Sequence, residues 1–174
     1  MEATIIDEQY KEGKELIDYL TSKKEVTFQT YAENNFRKNL LLSSASYFEA
    51  EITSIILSFA KKCSSNNEKL ENLIKQKVIN RQYHTYFDWE NGSNANKFFS
   101  LFGNSFKQEM EYKIKQDNDL REGIISFMQI GLERNKMVHQ NFAEIVIEKT
   151  AAEVDEMYKK AKRFIEVLKE QLLN

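Results

Sequence analysis

Residues 40–60 read LLLSSASYFEAEITSIILSFA, and their pattern indicates the fold class. The apolar positions cover more than one face of a helix with 3.6 residues per turn. Such a helix lies at the centre of a bundle or commits one face to another subunit. The capping-box pattern of Thr30 and Glu33 predicts that this helix covers about 31–63. The apolar positions are Leu40, Leu41, Leu42, Phe48, Ile52, Ile55, Ile56 and Phe59.

Helical patterns also occur on both sides of this stretch. A second capping box, Thr150 with Glu153, opens a final helix with an apolar stripe. The chain has no proline and only five glycines, which disfavours a sheet with its many turns. We therefore predict an all-α fold, an elaborated antiparallel helical bundle, with residues 1–174 as a single domain. The other predicted helices cover about 6–20, 68–80, 94–102, 104–116 and 119–139.

Charge and cysteine content limit the functional classes. The formal net charge is −2, whereas a protein that coats nucleic acid non-specifically is normally basic. Any contact with nucleic acid is therefore expected to be local, through a few cations in a cleft. Cys63 is the single cysteine, so an intrachain disulfide is ruled out and a reducing cytosol is favoured. The N-terminus lacks the pattern of a signal peptide, and no run approaches about twenty apolar residues. We predict a cytoplasmic protein without membrane contact.

The sequence lacks the common cofactor and metal motifs. It has no glycine-rich phosphate loop, no GxSxG, no HExxH and no CxxC. One cysteine and two separated histidines make a structural zinc site improbable. The prediction is therefore that the protein uses no metal and no cofactor.

Residues 134–139 read RNKMVH and combine three side chains suited to phosphate chemistry. A histidine titrates near neutrality and can act as base and acid. An arginine can hold a phosphate through two parallel hydrogen bonds. On an ideal helix, however, Arg134 and His139 lie about 140° and 7.5 Å apart, whereas Asn135 and His139 share a face. The pair can meet only if Arg134 reaches round, the helix distorts, or a second copy supplies the partner.

The segment GLERNKMVHQ resembles the signature of the HEPN superfamily, in which an arginine and a polar residue precede a histidine. The preceding SASYFE in a long helix, the FFSLFG element and the final helix are also similar, over most of residues 28–172. The resemblance implies a helical bundle that dimerises with both motifs in one cleft. It also implies metal-independent cleavage of RNA, as in toxins and phage-defence proteins.

The resemblance implies roles for individual residues. His139 would carry out acid–base chemistry on the ribose 2′-hydroxyl, and Arg134 would bind the scissile phosphate. Asn135 would orient the histidine or hold the phosphate.

Other candidates come from the sequence itself, apart from the resemblance. Arg37 and Lys136 are candidate phosphate-contacting cations. The candidate carboxylate lies in the long helix: Glu49 is either paired with Arg134 or His139, or faces outward.

The expected partners are RNA, a second copy of the chain with an interface near residues 120–142, and a neutralising antitoxin or defence-system protein. The alternative function is a non-catalytic helical module that binds nucleotide, RNA or a protein through the same cleft.

Residues 81–94 look irregular and end in the turn signal Asn91-Gly92. Their aromatic residues favour a small core beneath a long loop, with His84 packed among them. Stacking of these rings on splayed RNA bases is the alternative.

Overall fold

A computed structural model describes residues 3–90 and 93–174. These residues form helices and loops without a strand, which confirms the all-α prediction. The Asn91-Gly92 turn signal lies outside the described residues. A π-helical turn, Lys75–Ile79, continues the third helix. The helices are α1 (Ile5–Ser22), α2 (Val26–Cys63), α3 (Glu68–Ile74), α4 (Tyr83–Tyr86), α5 (Asn96–Ser100), α6 (Asn104–Gln116), α7 (Asn118–His139) and α8 (Ala151–Leu173).

The four longest of these helices form an antiparallel bundle. The beginning of α1 contacts the middle of α8, where Asp7 lies 3.5 Å from Lys162. The beginning of α7 also contacts α8, with Asp117 and Arg163 joined at 2.9 Å. The later parts of α1 and α7 give their directions. Ile17 of α1 lines a pocket with Ala151, and Gln129 of α7 lines a pocket with Glu153, so both helices run opposite to α8. Helix α2 runs in the same direction as α8, because Tyr47 contacts Tyr158 and Lys62 donates to the Leu173 carbonyl. The predicted antiparallel bundle is thus confirmed.

Helix α2 lies at the centre of the bundle, as its apolar pattern predicts. Of the described helices, it is the one long and apolar enough to cross a membrane, with a mean hydropathy of 1.3 over its most apolar stretch. Yet 44% of that stretch is buried inside the protein. Most apolar residues between Leu40 and Ala60 pack into or against the core of the bundle. Those that are buried are Leu40, Leu41, Ala45, Phe48, Ile52, Ile55, Ile56 and Ala60.

Aromatic rings join three of the long helices to residues 81–90, which are called the aromatic segment below. The ring of Phe127 on α7 lies 5.6 Å from Phe48 on α2 and 5.0 Å from Phe164 on α8. Phe87 lies 4.9 Å from the same ring. The aromatic segment thus enters the main core, so the prediction of a separate small core is wrong. Its buried residues are Tyr86, Phe87 and Trp89.

The helix ends show where local sequence signals succeed and fail. The Thr150 capping box is present, and its hydroxyl accepts a hydrogen bond from the Glu153 backbone at 3.2 Å. The Thr30 capping box is wrong, because α2 already begins at Val26. The Thr30 hydroxyl donates instead to the Val26 carbonyl at 3.0 Å. A threonine side chain can bond the carbonyl four residues earlier inside a helix, so its presence alone does not mark a helix start.

Gly123 fixes the distance between α7 and α8. A Cβ atom at this position would lie 2.7 Å from the backbone oxygen of Lys160. The two helices therefore approach each other directly through their backbones. This contact sets the position of α7, which carries the RNKMVH motif at its other end.

Candidate functional site

Arg134 projects from α7 toward α2 near the end of the bundle. Its Nη2 atom lies 3.9 Å from a carboxylate oxygen of Glu49, and its Nη1 atom donates to the Asn135 side-chain oxygen at 3.1 Å. The pairing of Glu49 with Arg134, one of the alternatives from the sequence, is thus observed. The Arg134 and Glu49 side chains are 34% and 43% exposed. A pair at this distance and exposure contributes at most about 1 kcal/mol, so it orients the guanidinium more than it stabilises the fold.

Arg134 and Asn135 border a narrow crevice between α2, α7 and the aromatic segment. Its walls are largely apolar, and its volume of about 10 Å³ admits roughly one water molecule. The crevice is therefore too small to enclose a phosphate, and the arginine and the asparagine lie at its mouth. The lining residues are Ala45, Phe48, Tyr83, His84, Trp89, Ile130, Gly131, Arg134 and Asn135.

Tyr83 is affected by the charges at this mouth. Burial raises the pKa of its phenol, the Glu49 carboxylate raises it further, and Arg134 opposes the rise. The phenol therefore remains protonated at neutral pH and is available as a hydrogen-bond donor.

His139 is the last residue of α7 and is exposed. Its imidazole has no hydrogen bond or ion pair with residues 3–90 or 93–174, and it does not line the crevice. The helix continues regularly to its end, where the Gln140 backbone donates to the Lys136 carbonyl at 3.1 Å. Distortion of the helix is therefore not the way in which Arg134 and His139 meet. In one protomer the two side chains stay on diverging faces.

Asn135 contacts Arg134 rather than His139 within the described structure. The amide oxygen that accepts from Arg134 is satisfied, while its Nδ2 group donates to no described residue. The role in orienting the histidine is thus not supported within one protomer. Its free amide group leaves the role in holding a phosphate open.

Two of the sequence-predicted cations lie away from this mouth. Arg37 is twelve residues before Glu49, about 18 Å along α2, and donates to the Ile147 carbonyl at 3.3 Å. Lys136 pairs with Glu133 at 2.8 Å and borders a separate groove beside the loop that follows α7. The structure thus assigns Arg37 to the attachment of that loop and Lys136 to another surface of α7.

The aromatic segment is the part of the site that sequence analysis missed. Trp89 packs directly on Gly131, one turn before Arg134, and its indole N–H donates to the His84 carbonyl at 3.0 Å. His84 and Tyr83 are thereby brought to the crevice. The many aromatic residues in 81–94 indicated that this segment is packed, but they did not indicate that it packs against α7.

The Gly131 contact predicts a large effect on stability. A Cβ atom at this position would lie 2.0 Å from the Trp89 ring. We expect Gly131→Ala to lower the free energy of unfolding by about 1–3 kcal/mol, the usual cost of overpacking, although alanine favours a helix. Urea unfolding measures this change.

The matched control is the same substitution in a Trp89→Leu background. Without the indole, Gly131→Ala is expected to be neutral or stabilising, because only the helix preference of alanine remains. A Gly131→Ala protein more stable than the wild type would contradict the proposed packing.

A family model described as RiboL-PSP-HEPN matches residues 7–174. The chain belongs to this HEPN family. Comparison with curated proteins and with solved structures found no similar protein. The HEPN match covers the bundle from residue 7 within α1 to the end of the chain, and it confirms the resemblance inferred from the sequence. HEPN membership indicates a nuclease-type or RNA-related function.

Among the described residues of this HEPN chain, no three His, Cys, Asp or Glu side chains are grouped so as to hold a metal ion. The polar groups at the crevice are the guanidinium of Arg134, the amide of Asn135, the carboxylate of Glu49, the phenol of Tyr83 and the imidazole of His84.

Proposed function

We propose that this protein is an RNA endonuclease of the toxin or defence type, acting as one HEPN-like unit over residues 1–174 and without a metal ion. The observation that carries the proposal is the arrangement of Arg134 in a HEPN chain. Glu49 and Asn135 hold its guanidinium at an exposed crevice mouth. Five N–H donors are present on an arginine, so donors remain for a phosphate.

The proposed reaction uses Arg134 together with His139. The ribose 2′-oxygen attacks the adjacent phosphorus, and the bond from phosphorus to the 5′-oxygen breaks. His139 accepts the proton of the 2′-hydroxyl, and an imidazolium returns a proton to the leaving 5′-oxygen. Arg134 offsets the charge that develops on the phosphate oxygens. The products are a 2′,3′-cyclic phosphate end and a 5′-hydroxyl end.

The site is proposed to be complete only in a homodimer. Within one protomer Arg134 and His139 diverge, whereas a two-fold axis beside α7 brings two copies of the motif into one cleft. Apolar side chains near His139 support such a contact, since Val138 is 51% exposed and Phe142 is 41% exposed. The proposed interface covers residues 120–142.

A homodimer is expected at micromolar concentration, measured by light scattering. Mixing Arg134→Ala protein with His139→Ala protein then tests whether the site is shared. Each heterodimer has one site with both side chains intact, so about a quarter of the wild-type activity is expected after exchange. A monomeric mass would contradict the dimer. No recovery of activity in the mixture would contradict a site formed in trans.

The function itself is tested by incubating the wild-type protein with a structured RNA in EDTA. We expect cleavage to 2′,3′-cyclic phosphate ends, identified by mass spectrometry. DNA of the same sequence is the matched control and is expected to stay intact, because it lacks the attacking 2′-hydroxyl. Absence of cleavage for every RNA tested would contradict the nuclease proposal.

The second candidate function is a non-catalytic module that binds RNA, nucleotide or a protein. The divergence of Arg134 and His139 in one protomer favours it, because a single copy presents a phosphate-binding arginine without an assembled catalytic pair. RNA binding without cleavage would support this function. For either function we propose a cytoplasmic location and a partner protein, which is a neutralising antitoxin or a defence-system protein.

A further inference from the structure

His84 is the histidine that shares a crevice with Arg134 in the same protomer. It lines the crevice together with Tyr83, Arg134 and Asn135, whereas His139 does not. His84 is exposed, although Tyr86, Phe87 and Trp89 around it are buried. The imidazole makes no hydrogen bond or ion pair within the described parts of the chain. Packing of the aromatic segment therefore does not account for a polar ring at this position.

The backbone of His84 is hydrogen-bonded, whereas its side chain has no hydrogen bond or ion pair with a described residue. The Trp89 indole donates to the His84 carbonyl at 3.0 Å, and the same indole packs on Gly131 of α7. Gly131 lies three residues before Arg134 on that helix. The position of His84 relative to Arg134 is thus fixed by one continuous contact from α7 through Trp89. Such a fixed frame is what a substrate-contacting side chain needs.

The charges at the crevice mouth explain why another donor is useful there. Arg134 supplies one positive charge, but Glu49 lies beside it and repels a phosphate. The chain as a whole carries a net charge of −2. A polyanionic backbone therefore gains little from the general field of the protein and depends on local donors. His84 offers an N–H group on the side of the crevice formed by the aromatic segment.

We propose that His84 is a second substrate-contacting histidine, whose imidazole donates a hydrogen bond to the RNA backbone next to the phosphate held by Arg134. This inference rests on the proposed function. It assigns binding, rather than acid–base chemistry, to His84. Loss of His84 should thus weaken RNA binding and raise KM, while kcat changes little.

The test measures binding of a fluorescently labelled RNA of random sequence by anisotropy, in a His139→Ala background that prevents cleavage. We expect His84→Ala to weaken binding roughly three- to tenfold, the range for one hydrogen bond. His84→Gln keeps an N–H donor and is expected to bind within about twofold of the background protein. His84→Phe keeps the ring without the donor and is expected to bind as weakly as His84→Ala.

The matched control is Gln108→Ala, which removes an exposed polar side chain from α6 and is expected to leave binding unchanged. Urea unfolding of every variant should also be unchanged, because the His84 side chain has no partner to lose. In proteins that retain His139, His84→Ala is expected to raise KM by the same factor with kcat nearly constant.

Binding that is unchanged in His84→Ala would overturn this inference and leave the proposed function intact. Binding retained by His84→Phe and lost in His84→Gln would overturn the hydrogen bond in favour of base stacking. Absence of RNA binding by the protein with His84 intact, together with absence of cleavage by the wild type, would overturn the proposed function and this inference together.

Discussion

Replacement of His139 by alanine is expected to reduce RNA cleavage by roughly 100-fold or more, the scale of general acid–base catalysis. In the proposed mechanism this imidazole removes the proton from the 2′-hydroxyl, so the alanine variant lacks the general base. The side chain is exposed and makes no hydrogen bond or ion pair with a described residue, so the variant is expected to fold normally. Cleavage rates at saturating RNA, with circular dichroism as the folding check, measure the effect.

The Gln108→Ala variant is the control, since Gln108 is exposed on α6 and lies outside both the motif and the proposed interface. It should cleave RNA at a rate close to that of the wild type. Undiminished cleavage by a folded His139→Ala protein would exclude His139 as the base.

Replacement of Arg134 should cause a loss of similar size through a different step. Removal of a group that stabilises charge in the transition state costs about 100- to 1,000-fold in rate, and Arg134→Ala is expected within this range. Arg134→Lys should recover only part of the activity, because an ammonium cannot make the planar two-bond contact with a phosphate. Single-turnover cleavage of the same RNA by both variants measures the difference.

Lys14→Ala is the control, because it removes an exposed cation from α1, outside the motif and outside the proposed interface. Its cleavage rate should remain near that of the wild type. Stability should change little in Arg134→Ala, since the ion pair with Glu49 is half-exposed and contributes at most about 1 kcal/mol. Full activity in Arg134→Lys would show that charge alone is needed and that the bidentate contact is absent.

The fold was predictable because its signals are local and repeated. Apolar spacing and caps such as Thr150 predicted every long helix, since each signal acts within a few residues. The start of α2 was missed because Thr30 has the same side chain whether it caps a helix or bonds a carbonyl within one. Only the residues before it, from Val26 onward, show that the helix has already begun.

The site was predictable only in part. The motif identified Arg134, and the position of Glu49 in an apolar helix suggested a pair, because a carboxylate there needs a partner or an outward path. The position of His84 near Arg134 depends on the Trp89 indole, which packs against Gly131 about forty residues later in the chain. No spacing rule connects such positions, so only the tertiary structure reveals them.

The burial of α7 changes along its length, and this gradient affects how the motif moves. The helix is buried through its middle turns, Met137 is its last buried residue, and Val138 and His139 are exposed. Local unfolding of the final turn therefore costs far less than global unfolding, and its amide hydrogens should exchange with solvent much faster than those near Gly123. Burial of this turn against a second copy, as in the proposed homodimer, should slow the exchange of these amides.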